Sequence, residues 1–115
     1  MQASDDPIIE LLSRCARGDS AALRTLYDLA APQLFAVLLR ILHRVDLAED
    51  ALQEVFMSIW RNAVTFDVRR GHPMAWMITI ARYRAIDIRR SRRFEQSEQD
   101  IEDVQELALK DCLVS

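Results

Sequence analysis

GHPMAWMITIARYRAIDIRRSRR, residues 71–93, reads as one long helix with two unlike faces. Gly71 permits a turn, and Pro73 suits the first turn of a helix, where the N–H it lacks would have no intrahelical partner. No Gly or Pro then interrupts the run as far as Arg90. At about 100° per residue, Met74, Met77, Ile78, Ala81, Ala85 and Ile88 gather on one stripe, the pattern of a core-facing side. The opposite side collects Trp76, Thr79, Arg82, Tyr83, Ile86 and Arg90. A face made only for solvent carries Glu and Lys rather than Trp and Tyr among arginines. Guanidinium groups attract phosphate and aromatic rings stack on bases, so this face has the make-up of a nucleic-acid surface.

Charge is distributed to match. Residues 69–93 hold eight arginines against the single acid Asp87, a segment charge of +7. Residues 1–68 carry −4 and residues 94–115 carry −6, which together recover the net charge of −3. The mild overall acidity therefore says little about partners, because the positive charge is concentrated in one element.

The remainder of the 115 residues fits a small all-α bundle of about four helices. Half the residues are hydrophobic, and two Gly and three Pro leave little turn material for a sheet. No unbroken apolar run reaches the ~18 residues of a membrane span, so no membrane insertion is expected. The start, MQASDDPIIE, is acidic, unlike a signal peptide. Cys15, His43, His72 and Cys112 show no metal-ligand spacing, so neither a metal nor a cofactor is expected. No Ser/His/Asp set, phosphate loop or HExxH is present, and an enzyme is not expected.

In chain order, Asp5 or Asp6 caps a first helix through about Arg17, and Gly18 ends it. Asp19 or Ser20 caps a second helix from about Ala21, where Pro32 predicts a kink or brief break before Gln33–Leu42 resumes. His43 stands at that helix end as a cap. Asp46 caps a third helix, Leu47 to about Val64, with Leu52, Val55, Phe56, Ile59 and Ala63 as its core stripe. Beside the stripe lie Asp50, Gln53, Glu54, Met57, Trp60 and Arg61, either a partner surface with an aromatic anchor or, for Trp60, simply more core. The loop Thr65–His72, TFDVRRGH, has a make-up that can hold an extruded base, and equally that of an ordinary turn. After Arg93 the acidic run FEQSEQDIEDVQE reads as a linker or tail, giving a helical domain over 1–93 and a tail over 94–115. Leu107, Leu109, Leu113 and Val114 have the spacing of a short further helix.

The runs DLAEDALQEVFMSIWRNAVTFD (46–67) and RRGHPMAWMITIARYRAIDIRRSRR (69–93), preceded by ARGDSAALRTLYDLAAPQLFAVLLRIL (16–42), together resemble region 2 of bacterial sigma factors, sigma-70 family, extracytoplasmic-function class. The resemblance covers about residues 5–93. It implies a cytoplasmic transcription initiation domain, associated with the nucleoid when active. Such a domain docks on the β′ clamp helices of core RNA polymerase and recognises and melts the promoter −10 element. Position by position, Asp50, Gln53 and Glu54 match the polar docking positions, with Met57 and Trp60 beside them as the apolar part. Phe66, Asp67, Arg69, Arg70 and His72 fall in the loop that takes an extruded non-template base. Trp76 matches the ring that props open the upstream edge of the bubble, and Thr79 shares its face. Ile80 and Tyr83 fall where the upstream −10 base pair is read, and Arg82, Arg84, Arg89 and Arg90 would serve the phosphate backbone.

Trp76–Met77 stands where housekeeping relatives carry two adjacent Trp, and Ile80 is apolar where those relatives place a polar reader. The −35-reading region 4 of the class does not occur within these 115 residues, so this is either a piece of a longer protein or a shortened chain. The resemblance also implies an anti-sigma partner. Two rival readings accompany it: a regulatory module titrating or held by such a partner, and a DNA-binding bundle unrelated to initiation.

Overall fold

The computed structural model describes the backbone of residues 6–111 and the side chains of residues 6–95. It is all-α: α1 (Pro7–Ala16), α2 (Ser20–Leu42), α3 (Val45–Asn62) and α4 (Pro73–Asp111), with 3₁₀ turns at Ala63–Thr65 and Val68–Arg70 joining α3 to α4. Asp5, Cys112, Leu113 and Val114, singled out in the sequence, lie outside the described backbone.

Local chemistry sets each end. Asp6 caps α1, accepting the Ile8 N–H at 2.9 Å. Gly18, at φ +88°, turns the chain back, and Asp19 then caps α2 by accepting the Ala21 and Ala22 N–H groups at 3.0 and 3.2 Å. Arg14 donates its Nε–H to the same carboxylate at 2.9 Å, so hydrogen bonding from that guanidinium holds the Asp19 carboxyl below its ordinary pKa. A Cβ at Gly18 would meet no atom within 4 Å, so only its backbone conformation resists substitution. Gly18→Ala is therefore expected to destabilise the chain by about 1 kcal/mol, a fall of roughly 4–8 °C in the thermal midpoint of the circular-dichroism melt.

Two helix boundaries differ from the sequence reading. Pro32 causes no break, and α2 runs through it for 23 residues. Pro32 is exposed while Ala30, Ala31 and Leu34 on either side are buried, so the carbonyl left without a donor faces water. Tertiary burial of the flanking turns outweighs the local defect. Similarly, Asp46 is not the cap of α3. That helix starts at Val45, two residues before Leu47, and Asp46 lies inside its first turn, taking a bidentate contact from Arg44 at 3.1 and 2.6 Å. His43 does close α2, in the left-handed region at φ 59°, with its N–H bonded to the Leu39 carbonyl at 2.8 Å.

The core is wholly apolar; among the described residues no polar or charged side chain is buried. α2 forms its axis through Ala22, Leu26, Ala30, Leu34 and Leu38, and α1, α3 and α4 all rest on it. From α3 come Ala48, Ala51, Val55, Phe56 and Ile59, with Tyr27 tilted against Phe56 at 4.8 Å. From α4 come Met77, Ala81 and Ala85, which let the helix approach closely, flanked by half-buried Met74, Ile78 and Ile88. α2 has the length and, over 18 residues, the mean hydropathy (1.4) of a membrane span, more than the absence of an unbroken apolar run implied. Its central position in the bundle accounts for that apolarity.

α4 stays helical to Asp111, well past the change of composition at Arg93. Residues 94–111 contain no Gly or Pro and are rich in Glu and Gln, so nothing local ends the helix.

Candidate functional site

Because the core takes only apolar groups, every polar residue singled out in the sequence is available to build a surface. Those residues divide among four places.

The first is a pocket of about 360 Å³ at the start of α4, walled by Phe66, Asp67, Arg70, His72, Trp76 and Thr79, with Thr65, Gly71 and Ala75 completing it. The loop that forms it is fixed by its own hydrogen bonds. Asp67 accepts the Arg69 N–H at 2.9 Å and the guanidinium at 3.1 Å. Those bonds, that from the Arg69 side chain first, hold the Asp67 carboxyl below its ordinary pKa, so at neutral pH it is an acceptor only. His72 Nδ1 accepts the Met74 N–H at 3.2 Å, capping α4, and its Nε2 stands 3.8 Å from Asp6, the cap of α1. Phe66 and Trp76 pack at 5.2 Å with their planes 53° apart. Both are half-buried, each packing in part on the core and in part lining the pocket. A flat heteroaromatic ring with donors and acceptors at its rim fits this arrangement of aromatic wall, carboxylate and arginines.

The second place is a cleft of about 800 Å³ between α3 and α4, lined by Gln53, Glu54, Met57, Ser58 and Arg61 on one side and Ile80, Tyr83, Arg84 and Asp87 on the other. Met57 is 50% exposed and Tyr83 67%, so the cleft has apolar rims that no described residue covers. Glu54 and Arg84 join across it, Nε to Oε1 at 3.1 Å and Nη2 to Oε2 at 2.7 Å. The Arg84 guanidinium is thus committed to a carboxylate thirty residues earlier. Ser58 and Asp87 line the same cleft and were not singled out in the sequence; only their polar neighbours at helical spacing could have pointed to them. Asp50 is exposed further toward the start of α3, whereas Trp60 is half-buried against the core. Part of the Trp60 indole is thus inside the bundle and part at the surface.

The third place is the outer side of α4, where Arg82 and Arg90 are exposed with Ile86 half-buried between them. The fourth is a cleft at the far end of the bundle that takes in Arg89. Arg69, paired to Asp67, projects from the loop. Of the four residues weighed as metal ligands, Cys15 is buried in the core, where burial raises its thiol pKa, while His43 ends α2 and His72 begins α4.

Comparison with known proteins bears on this arrangement. Residues 26–95 match the family model for sigma-70 region 2. The chain is 33% identical over 82 residues to the ECF RNA polymerase sigma factor SigK of Mycobacterium ulcerans, an alignment covering 71% of this chain and 44% of that protein. It is 36% identical over 77 residues to the SigK proteins of Mycobacterium bovis and Mycobacterium tuberculosis, covering 67% of this chain and 41% of each. The chain thus spans under half the length of these curated relatives.

Proposed function

This chain belongs to the sigma-70 region 2 family, within its extracytoplasmic-function class, and on that premise we propose that it is a non-catalytic transcription initiation module that docks on core RNA polymerase and opens the promoter −10 element. The Phe66–Trp76 pocket takes one unstacked non-template base. Unstacking a base costs a few kcal/mol. Stacking on the exposed part of the indole, worth about 1–3 kcal/mol per base, offsets that cost. Asp67, His72 and Thr79 meet the rim of the captured base, while Arg70 and the exposed Arg82 and Arg90 hold the flanking phosphates. The exposed face of α3, Asp50, Gln53, Glu54 and Met57, docks on the β′ clamp helices, with the outer part of Trp60 at its edge. Melting and docking thus fall to adjacent helices, and the module works in the bacterial cytoplasm, on the nucleoid.

The observation that carries this reading is the aromatic-walled pocket within a loop-and-helix segment, residues 69–93, that bears +7. The test is fluorescence anisotropy with labelled single strand of −10 sequence, its complement and the duplex. Preference for the non-template strand is expected, and equal binding to all three would point instead to a general DNA-binding bundle. In the same series, Asp50→Ala is expected to weaken binding to the isolated clamp helices about 3- to 10-fold, and unchanged affinity would remove α3 as the docking face.

The uncovered rims of the cleft, Met57 and Tyr83, favour a second reading in which the same surface is held by an anti-sigma protein. Purification as a tight heterodimer, with transcription failing even when a −35-reading domain is joined on, distinguishes it.

A further inference from the structure

α2 carries a second ridge that the described bundle leaves uncovered. Its buried side is the four-residue row Ala22, Leu26, Ala30, Leu34 and Leu38. Two residues further on, about 200° around the helix, runs the row Arg24, Asp28, Pro32, Ala36 and Arg40, exposed throughout. Neither the base pocket nor the α3–α4 cleft draws on this row. A helix side made only for water carries charge along its length, but residues 29–39 contain none. Leu29 on that side is 52% exposed, Gln33 is exposed with it, and Phe35 and Leu39 are half-buried at its edge. Rows at four-residue spacing are the ridges by which helices cross at about −50°. The small side chains of Pro32 and Ala36, at the middle of the row, let a second backbone come close at such a crossing.

The charges at the two ends of the uncharged stretch indicate what covers it. Asp28 and Arg40 lie about 18 Å apart along the axis, on either side of the midpoint between Pro32 and Ala36. Turning a copy of the helix end for end about that midpoint lays Asp28 beside Arg40 of the other copy, and does so twice. Among the described residues Arg40 has no carboxylate within ion-pair range, and Asp28 has only Arg24 at 3.7 Å, with both of those side chains well exposed. Pro32 also gives no N–H to the carbonyl of Asp28, four residues back. An arginine arriving there finds a carboxylate and a free carbonyl, and its guanidinium has donors for both. A surface that carries both halves of one complementary pattern fits itself about a two-fold axis, whereas an unlike partner needs only one half. We propose that the outer side of α2 is a self-association surface that takes a second copy of this chain in an antiparallel crossing. One helix-on-helix crossing is smaller than the roughly 1,200 Å² at which stable interfaces begin. The pair is therefore weak, with half-dissociation at about 10–100 μM.

Sedimentation of the full 115-residue chain, at low ionic strength and over about 1–500 μM, tests this directly. The average mass is expected to rise from 13.3 kDa toward twice that value. Asp28→Arg leaves two positive ends on the surface and Arg40→Glu two negative ones, so each alone should weaken the pair about 10-fold. Combined in one chain, the two substitutions restore the net charge of −3 and again set opposite charges against each other at both ends. The double variant should therefore recover to within about 3-fold of the unaltered chain. Ala36→Glu, which puts a carboxylate at the crossing itself, should abolish pairing. A chain monomeric over the whole range overturns the proposal, and so does a double variant in which the two losses add. Pairing that survives Ala36→Glu but is lost in Met57→Glu would assign self-association to the α3–α4 cleft and overturn it too. Asp28, Ala36 and Arg40 are exposed, so circular-dichroism melts below the pairing concentration should stay close to that of the unaltered chain.

Discussion

Trp76→Ala is expected to lower the affinity of the chain for single-stranded non-template DNA by roughly 5- to 150-fold, the equivalent of about 1–3 kcal/mol of base stacking, while duplex affinity stays nearly unchanged. The asymmetry follows from where the ring sits. Its exposed part walls the pocket beside Phe66, whereas Arg82 and Arg90 lie further along the outer side of α4. A duplex offers backbone but no free base face, so it loses little when the indole goes. The inner part of the same ring rests on the core, and removing it also loosens the end of the bundle. Trp76→Phe separates the two effects: it keeps an aromatic face and most of the packing, and should retain most of the single-strand affinity. Phe66→Ala should act in the same direction more weakly, since it removes the support that tilts the indole. In a reconstituted initiation complex, permanganate footprinting should show Trp76→Ala impairing strand opening more than polymerase binding. Equal losses on single strand and duplex would show that the ring serves only the fold.

The sequence and the structure agree best where periodicity had something to act on. The stripe of Met77, Ala81 and Ala85 and that of Leu52, Val55, Phe56 and Ile59 were legible because a helix repeats every 3.6 residues and only one side can be buried. The pocket residues were legible as a loop of suitable chemistry, but their convergence with Thr79 was not, because it depends on how the loop folds back over α4. Pro32 misled because its local defect is real; what outweighs it is burial on α2 contributed by three other helices. The position of Asp46 was misread for a related reason. An acid at a helix start serves equally as a cap or as a first-turn charge, and here Arg44 takes its side chain. The ion pair between Glu54 and Arg84 had no signal in either helix alone. Opposite charges thirty residues apart meet only once α3 and α4 are packed, and no pattern within one helix reports a crossing point.

That pair leads to the other large expected effect. Arg84 occupies a position the family resemblance assigns to the phosphate backbone, yet its Nε and Nη2 are both used on Glu54. With 41% and 49% of the two side chains exposed, the pair adds little to stability through solvent-screened attraction. What it does is orient. Two parallel N–H···O bonds fix the plane of the carboxylate and leave its outer lone pairs for another donor. On the proposed docking, Arg84 acts through Glu54 as a positioning residue. Glu54→Ala is expected to weaken binding to the β′ clamp helices about 10-fold, close to 1.4 kcal/mol. Arg84→Ala should weaken it about 5-fold alone and hardly at all in the Glu54→Ala background, the non-additivity that marks a pair acting as a unit. Arg84→Lys supplies the charge without the fork and should recover only part of the loss. Exchanging the two residues should restore the thermal midpoint but not docking, because it puts a cation where the partner meets a carboxylate. If instead Arg84→Ala lowers DNA affinity and leaves clamp binding intact, the guanidinium leaves Glu54 when DNA arrives and the phosphate role is the correct one. If the two single losses simply add, each residue touches the partner independently and the orienting role fails.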